Sequence, residues 1–316
     1  MKKKYELAAI IFATMIILPG QLAFSLGVNI DKEKQAFGNA SRTEQQNIAF
    51  RLSGEGKAGA HALMDLIEKS TDTTARGRAF AGLRQSLENP KNQDKEIFYK
   101  LEKMALGDDT KSSYAATSTL MHFKHNPKAR AAIKQAIKMQ INESIRGELL
   151  GALMVNTDRD QSEIPYFRDF FLHDVSEYVK VIAAGYMGRL GDKSGANLCK
   201  EILEREPLDK RTKVLQMRAA IAAGTIGDPQ LLPLLEKVGS DKKYGIARSD
   251  ALDAANDIKL GMQPNKDAKL TYLKKALREP RSGSWAVNVL VNMKDKEADA
   301  LLEWGYSQPE IARNMR

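Results

Sequence analysis

The chain has one cysteine, Cys199, so it cannot close an internal disulfide. Its fold must therefore rest on packing rather than on cross-links. Aromatic residues make up only 7% of the 316 positions, with two tryptophans. Alanine is abundant instead, and small side chains suit closely packed helices better than sheets. Sustained period-two alternation is missing, which argues against any sheet. Beyond the N-terminal stretch no apolar run reaches membrane-spanning length. Catalytic signatures are scarce as well. There is no G-x-S-x-G, so the serine-hydrolase elbow is missing, and none of the four histidines is followed by glutamate. His122 and His125 stand at i, i+3, a spacing that lets both face one metal ion, but no cysteine or carboxylate is near them in sequence. A polar helix end, where histidine complements the helix dipole, explains the pair without a metal. No cofactor and no metal site is expected.

The N-terminus reads MKKKYELAAIIFATMIILPGQLAFSLG. Lys2, Lys3 and Lys4 form a basic start, residues 7–18 are apolar except for Thr14, and Ala23-Phe24-Ser25 offers a small-residue cleavage site. This order predicts a secretory signal peptide over residues 1–25. The expected location is the bacterial periplasm, cell envelope or exterior; the alternative is an uncleaved N-terminal membrane anchor. The formal charge is +9, of which three lysines and one glutamate in the signal contribute +2, leaving +7. Acidic residues are interspersed throughout, so this modest excess favours acidic partners only weakly. Neither charge nor compartment points to nucleic acid.

Two stretches repeat. VKVIAAGYMGRLGDKSGANLCKEILE (residues 179–204) and LQMRAAIAAGTIGDPQLLPLLEKV (215–238) share an alanine pair, a glycine (Gly188, Gly224), a branched apolar residue and Gly-Asp. The glycine of that Gly-Asp stops one helix and the aspartate caps the next. Acidic or amide residues mark the start of each unit: Asp72, Asp108, Asn142, Asp174, Asp209, Asp241 and Glu279, at intervals of 32 to 38 residues. Each interval holds two helices of about a dozen residues, the signature of a repeat array.

The A-A-x-x-x-G-x-[LI]-G-D pattern resembles short HEAT repeats, and more specifically the HEAT-like repeats first named for phycobilisome lyases. The resemblance covers roughly residue 45 to the C-terminus. It implies an all-α fold, an α–α superhelix (solenoid) of about seven helical hairpins over residues 45–316. Residues 26–44 read as a linker or irregular N-terminal cap. The resemblance implies little about activity, because such repeats serve many roles. The deoxyhypusine hydroxylases, which also carry HEAT-like repeats, depend on His-Glu pairs that this sequence lacks.

SGEGKAGA (residues 53–60) places Gly54, Gly56 and Gly59 in a G-x-G-x-x-G spacing. A dinucleotide site needs a buried strand before that loop. The preceding TEQQNIAFRL reads as helix, so the glycines are expected at a helix–helix turn. Cys199 reads as a small buried hydrophobe. Tyr166, Phe167, Phe170 and Phe171 read mostly as core, and Trp304 with Tyr306 as a C-terminal cap.

A repeat array leaves a long surface for partners. In PKARAAIKQAIKMQ, Ala129, Ala132, Ile133, Ala136 and Ile137 form the apolar stripe, while Lys128, Arg130, Lys134 and Lys138 fall on another side. Lys193 and Lys200 occupy comparable segments. These six are the expected partner-binding residues, in a discontinuous basic groove for an acidic protein, glycan or lipid head group. The expected function is a non-enzymatic protein–protein interaction scaffold; the alternative is an enzyme or enzyme-accessory protein with a composite site between repeats.

Overall fold

The computed structural model describes residues 28–123, 126–155 and 160–315. The expected signal peptide and His125 lie outside the described residues. Within them, eighteen α-helices are joined by turns and short 3-10 segments, and no strand occurs. No helix there is long and apolar enough to cross a membrane. The chain divides into two compact units, with the division after Ala136.

The first unit holds α1 (Ile30–Phe37), α2 (Arg42–Ser53), α3 (Gly56–Lys69), α4 (Thr73–Leu87), α5 (Lys95–Ala105), α6 (Thr110–Leu120) and most of α7 (Pro127–Met139). Helix α1 occupies the stretch expected to be a linker or irregular cap. Asn29 caps it by accepting from Lys32 N, and Phe37 anchors it in the core. Arg51 then ties α2 to α1, donating to both Glu33 carboxylate oxygens at 3.0 and 2.8 Å. Helix α4 packs against both α2 and α3, and α5 packs against α6. The G-x-G-x-x-G stretch is a helix–helix turn. Gly56 opens α3 at φ +61, and a Cβ on Gly59 would strike the carbonyl of Leu52. Sequence pattern and burial agree on α7, where Ala129, Ala132, Ile133, Ala136 and Ile137 are all buried.

The second unit continues with α8 (Glu143–Val155), α9 (Ile164–His173), α10 (Glu177–Arg189), α11 (Ala196–Glu204), α12 (Lys210–Ile226), α13 (Leu232–Ser240), α14 (Ala247–Gly261), α15 (Lys266–Ala276), α16 (Gly283–Met293), α17 (Lys296–Ser307) and α18 (Pro309–Asn314). Helices α8, α10, α12 and α14 contact one another in succession, and α9, α11 and α13 each pack on the next member of that series. Small residues make the close approach possible. Ala183, Ala184, Ala219 and Ala220 are fully buried, and a Cβ on Gly188 would lie 2.8 Å from Ile226 Cα. Start and stop signals act as the chemistry of the residues dictates. Asn142 accepts from Ser144 N and Ile145 N, and Asp209 accepts from Thr212 N. Gly227 ends α12 at φ +67, and Asp228 caps the short 3-10 turn that follows. Position 108 yields to Asp109, whose side chain accepts from Lys111 N.

Leu273, Leu277, Trp285, Leu290, Ile311 and Met315 build the C-terminal core. Trp304 packs on its edge with the charged ends of Lys274 and Arg278 at 4.6 and 5.3 Å from its ring. Tyr306 faces solvent, so Ile311 and Met315 close the core where Tyr306 was expected to. Phe167 and Phe170 are buried as expected of core aromatics. Cys199 is fully buried, and burial pushes its thiol up to about 12.

Candidate functional site

The six basic residues singled out from sequence differ in their local surroundings. Lys128 borders a small cavity of about 260 Å³ with Asp94, Lys95 and Tyr99. Arg130 turns its Nε and Nη2 away from solvent. Lys138 pairs with Asp169 at 2.7 Å and lies 5.8 Å over the Tyr166 ring. Lys134 is half-buried on the same helix. Lys193 stands exposed in the turn before α11, and Lys200 on α11 faces Glu204 one helical turn on, at 4.0 Å. A 31-residue separation hid the Lys138–Asp169 pair from any local reading of the sequence.

A different feature concentrates uncompensated charge. An open groove of about 560 Å³ runs between α12, α14 and α16. Its floor is α14, in the sequence ARSDALDAANDIKLG. Ala247, Ala251, Ala254, Ala255 and Ile258 form the buried stripe of that helix. Asp250, Asp253 and Asp257 fall at i, i+3 and i+7, so they share one of its other faces. Ile221 on α12, with Trp285, Val289 and Met293 on α16, supplies the apolar walls. The repeat glycine sets the width on one side: a Cβ on Gly224 would come within 3.0 Å of Ala254 and 3.3 Å of the Asp257 carboxylate. Hydrogen bonds hold the other side. Trp285 Nε1 donates to Asp257 at 2.9 Å, and Asn256 joins Tyr272 and Ser282 at 3.0 and 3.2 Å.

The electrostatics of the groove follow from its walls. Burial, with repulsion from Asp250 and Asp257 added, pushes the Asp253 carboxyl up to about 6. Burial likewise raises Asp250, partly offset by the attraction of Arg218. Asp257 keeps an exposed edge at the groove mouth, yet burial of its carboxylate outweighs the Trp285 hydrogen bond and raises it too. Among the described residues, no lysine or arginine nitrogen lies within 4.0 Å of these three carboxylates. Along α14 they are separated by roughly 4.5 and 6 Å of helix rise, a row rather than a converging set. Consistent with that, no group of three His, Cys, Asp or Glu among the described residues is arranged to hold a metal ion. The groove therefore suits an elongated cation whose apolar part lies on Trp285 and its neighbours. Sequence reasoning passed over it because the carboxylates lie on one helix but the walls come from α12 and α16. The one available signal was the i, i+3, i+7 spacing of aspartates opposite an alanine stripe.

No protein-family model matches the chain, and no curated protein matches its sequence.

Proposed function

We propose that this chain is a non-enzymatic protein-binding scaffold that acts outside the cytoplasm. Its hairpins continue as an α–α superhelix of the HEAT-like kind, and the groove over α14 recognises a basic, partly apolar segment of a partner protein. The carrying observation is the row of Asp250, Asp253 and Asp257 in an apolar-walled groove with no basic side chain paired to it. Such a site gains from an incoming cation twice: the carboxylates lose their mutual repulsion, and aliphatic surface leaves water. The secretory pattern of residues 1–25 supports the location, and the repeated alanine–glycine helices support the superhelix. An acidic partner on the lysines of α7 and α11 fits less well, because Lys138 and Lys200 already face carboxylates.

The test uses a fluorescent 14-residue lysine–leucine helical peptide with lysines at i, i+3 and i+7. Fluorescence anisotropy should show binding that weakens as salt rises. The double variant Asp253→Asn/Asp257→Asn should bind at least about tenfold more weakly. A peptide that ignores the wild-type protein, or binds the variant equally well, rejects the groove as the recognition surface. An enzyme-accessory reading keeps one observation in its favour, the Asp253 carboxyl that holds a proton to about pH 6.

A further inference from the structure

Three large aliphatic side chains stand almost wholly in water on the second unit: Val175 (96% exposed), Ile141 (91%) and Leu208 (87%). They occupy the same place in three successive hairpins, the position just before the capping residue of α8, α10 and α12. The caps are Asn142, Ser176 and Asp209. An apolar residue at this position ordinarily packs on an apolar residue in the fourth helical position, stapling the chain to its helix. Here the fourth positions are Arg146, Lys180 and Lys213, so no staple forms. These three side chains are almost fully exposed, yet α8, α10 and α12 each place one just before the cap. At α14 the register differs: Ile246 is itself the N-cap, and the residue before it is Gly245, so the pattern stops at three.

The starts of these helices lie along one edge. A single cavity of about 770 Å³ is lined by the first turns of α8, α10 and α12, and includes Val175, Val214 and Leu215. Arg211 at the start of α12 reaches Glu143 at the start of α8, at 3.5 Å. Arg205 clasps Glu177 at 2.7 and 2.8 Å. The charges around this cavity balance: Glu143, Glu148 and Glu177 against Arg205, Lys210 and Arg211. An anionic membrane surface would call for a basic excess here. A balanced rim around spaced aliphatics matches instead the surface of a helix with apolar seam residues flanked by both signs of charge. The spacing agrees. Stacked helices sit roughly 8–10 Å apart, and one heptad of a partner helix advances about 10.5 Å.

We propose that the edge formed by Ile141, Val175 and Leu208 docks an amphipathic α-helix of a protein partner, with aliphatic side chains of that helix at seven-residue spacing. This surface is separate from the α14 groove and does not depend on it.

The experiment uses two 21-residue fluorescent peptides of identical composition, with leucines and balanced glutamate and lysine. One spaces its leucines by seven; the other scrambles them. Anisotropy with the chain from Leu26 onward should show binding of the heptad peptide and none of the scrambled one. The triple variant Ile141→Ser/Val175→Ser/Leu208→Ser should lose at least about tenfold in affinity, while Asp253→Asn/Asp257→Asn binds as wild type. Helical circular dichroism and the melting midpoint verify the fold; if the triple variant is destabilised, Val175→Ser alone should still weaken binding about threefold or more. Equal binding of both peptides, or full binding by the folded variants, overturns the proposal. So does sedimentation with phosphatidylglycerol vesicles, or concentration-dependent dimerisation, that disappears in the triple variant: the first assigns the edge to a membrane and the second to another copy of the chain.

Discussion

Arg146 holds Asp174 in a two-pronged grip, with Nε and Nη2 donating to the two carboxylate oxygens at 2.7 and 2.8 Å. Both side chains are nearly sealed from water, 9% and 6% exposed. The remaining guanidinium nitrogen donates to the Gln140 and Ile141 carbonyls at 2.6 and 3.1 Å. One arginine thus joins the turn before α8 to the turn before α10. The first unit repeats the arrangement. Arg76, also fourth in its helix, donates to Asp109 at 3.0 Å and to the Ser70 carbonyl.

Breaking this grip on one side leaves an uncompensated buried cation. Asp174→Asn keeps the Oδ1 acceptor that Ser176 N uses, but it removes the charge and puts an NH2 donor where Oδ2 accepts from Arg146 Nε. It should destabilise the second unit by about 3–4 kcal/mol in urea unfolding. Adding Arg146→Met should recover part of that loss. If the double variant is as unstable as the sum of two independent losses, the pair is not coupled as described.

Glycines that look alike in sequence should respond in opposite directions. At Gly188 a Cβ would lie 2.6 to 2.9 Å from Ile226 Cγ1, Cα and N, and backbone cannot swing aside. Gly188→Ala should cost about 1–3 kcal/mol, and Gly188→Val more. Gly77, exposed inside α4, has nothing within 4 Å of its would-be Cβ. Gly77→Ala should therefore raise stability by about 0.5–1 kcal/mol. Paired thermal melts decide both; a Gly188→Ala protein as stable as wild type would show that α10 and α12 are not in this contact.

The groove aspartates make stability fall as pH rises. The Asp253 carboxyl titrates at about 6 in the folded chain, against about 3.9 in an unfolded one. Between those values the folded state keeps a proton that the unfolded state has released, so unfolding becomes easier as pH climbs through the window and levels off above it. Screening in an open groove holds the effect to about 1 kcal/mol. Asp253→Asn should flatten the slope from pH 4 to 6 in urea titrations. An unchanged slope would assign it to other groups.

Local chemistry made much of the fold legible. The alanine stripe of α7, the caps at Asp72, Asn142 and Asp209, and the Gly-Asp stop and start at 227–228 all act within a few residues of themselves, so the sequence carries them directly. Position 108 missed its cap by one because two adjacent aspartates offer the same side chain and only backbone geometry chooses between them. The stretch before residue 45 read as irregular because α1 is held by distant partners: Glu33 by Arg51, and Phe37 by the core. The basic ridge is the clearest limit. Spacing told which lysines share a helix face, but it could not tell that Asp169 stands across from Lys138. The acidic groove and the aliphatic edge have the same origin, since both are completed by side chains that separate hairpins bring together.

Cys199 has a practical consequence. A lone thiol with no exposed surface, held protonated far above neutral pH, neither scrambles in an oxidising environment nor competes for maleimides. Reporter cysteines can thus be introduced at Val175, or at Asn288 on the α16 wall of the acidic groove, without first deleting the native one. Fluorescent distance measurements at the aliphatic edge and at the acidic groove are then possible in a chain that otherwise keeps its own sequence.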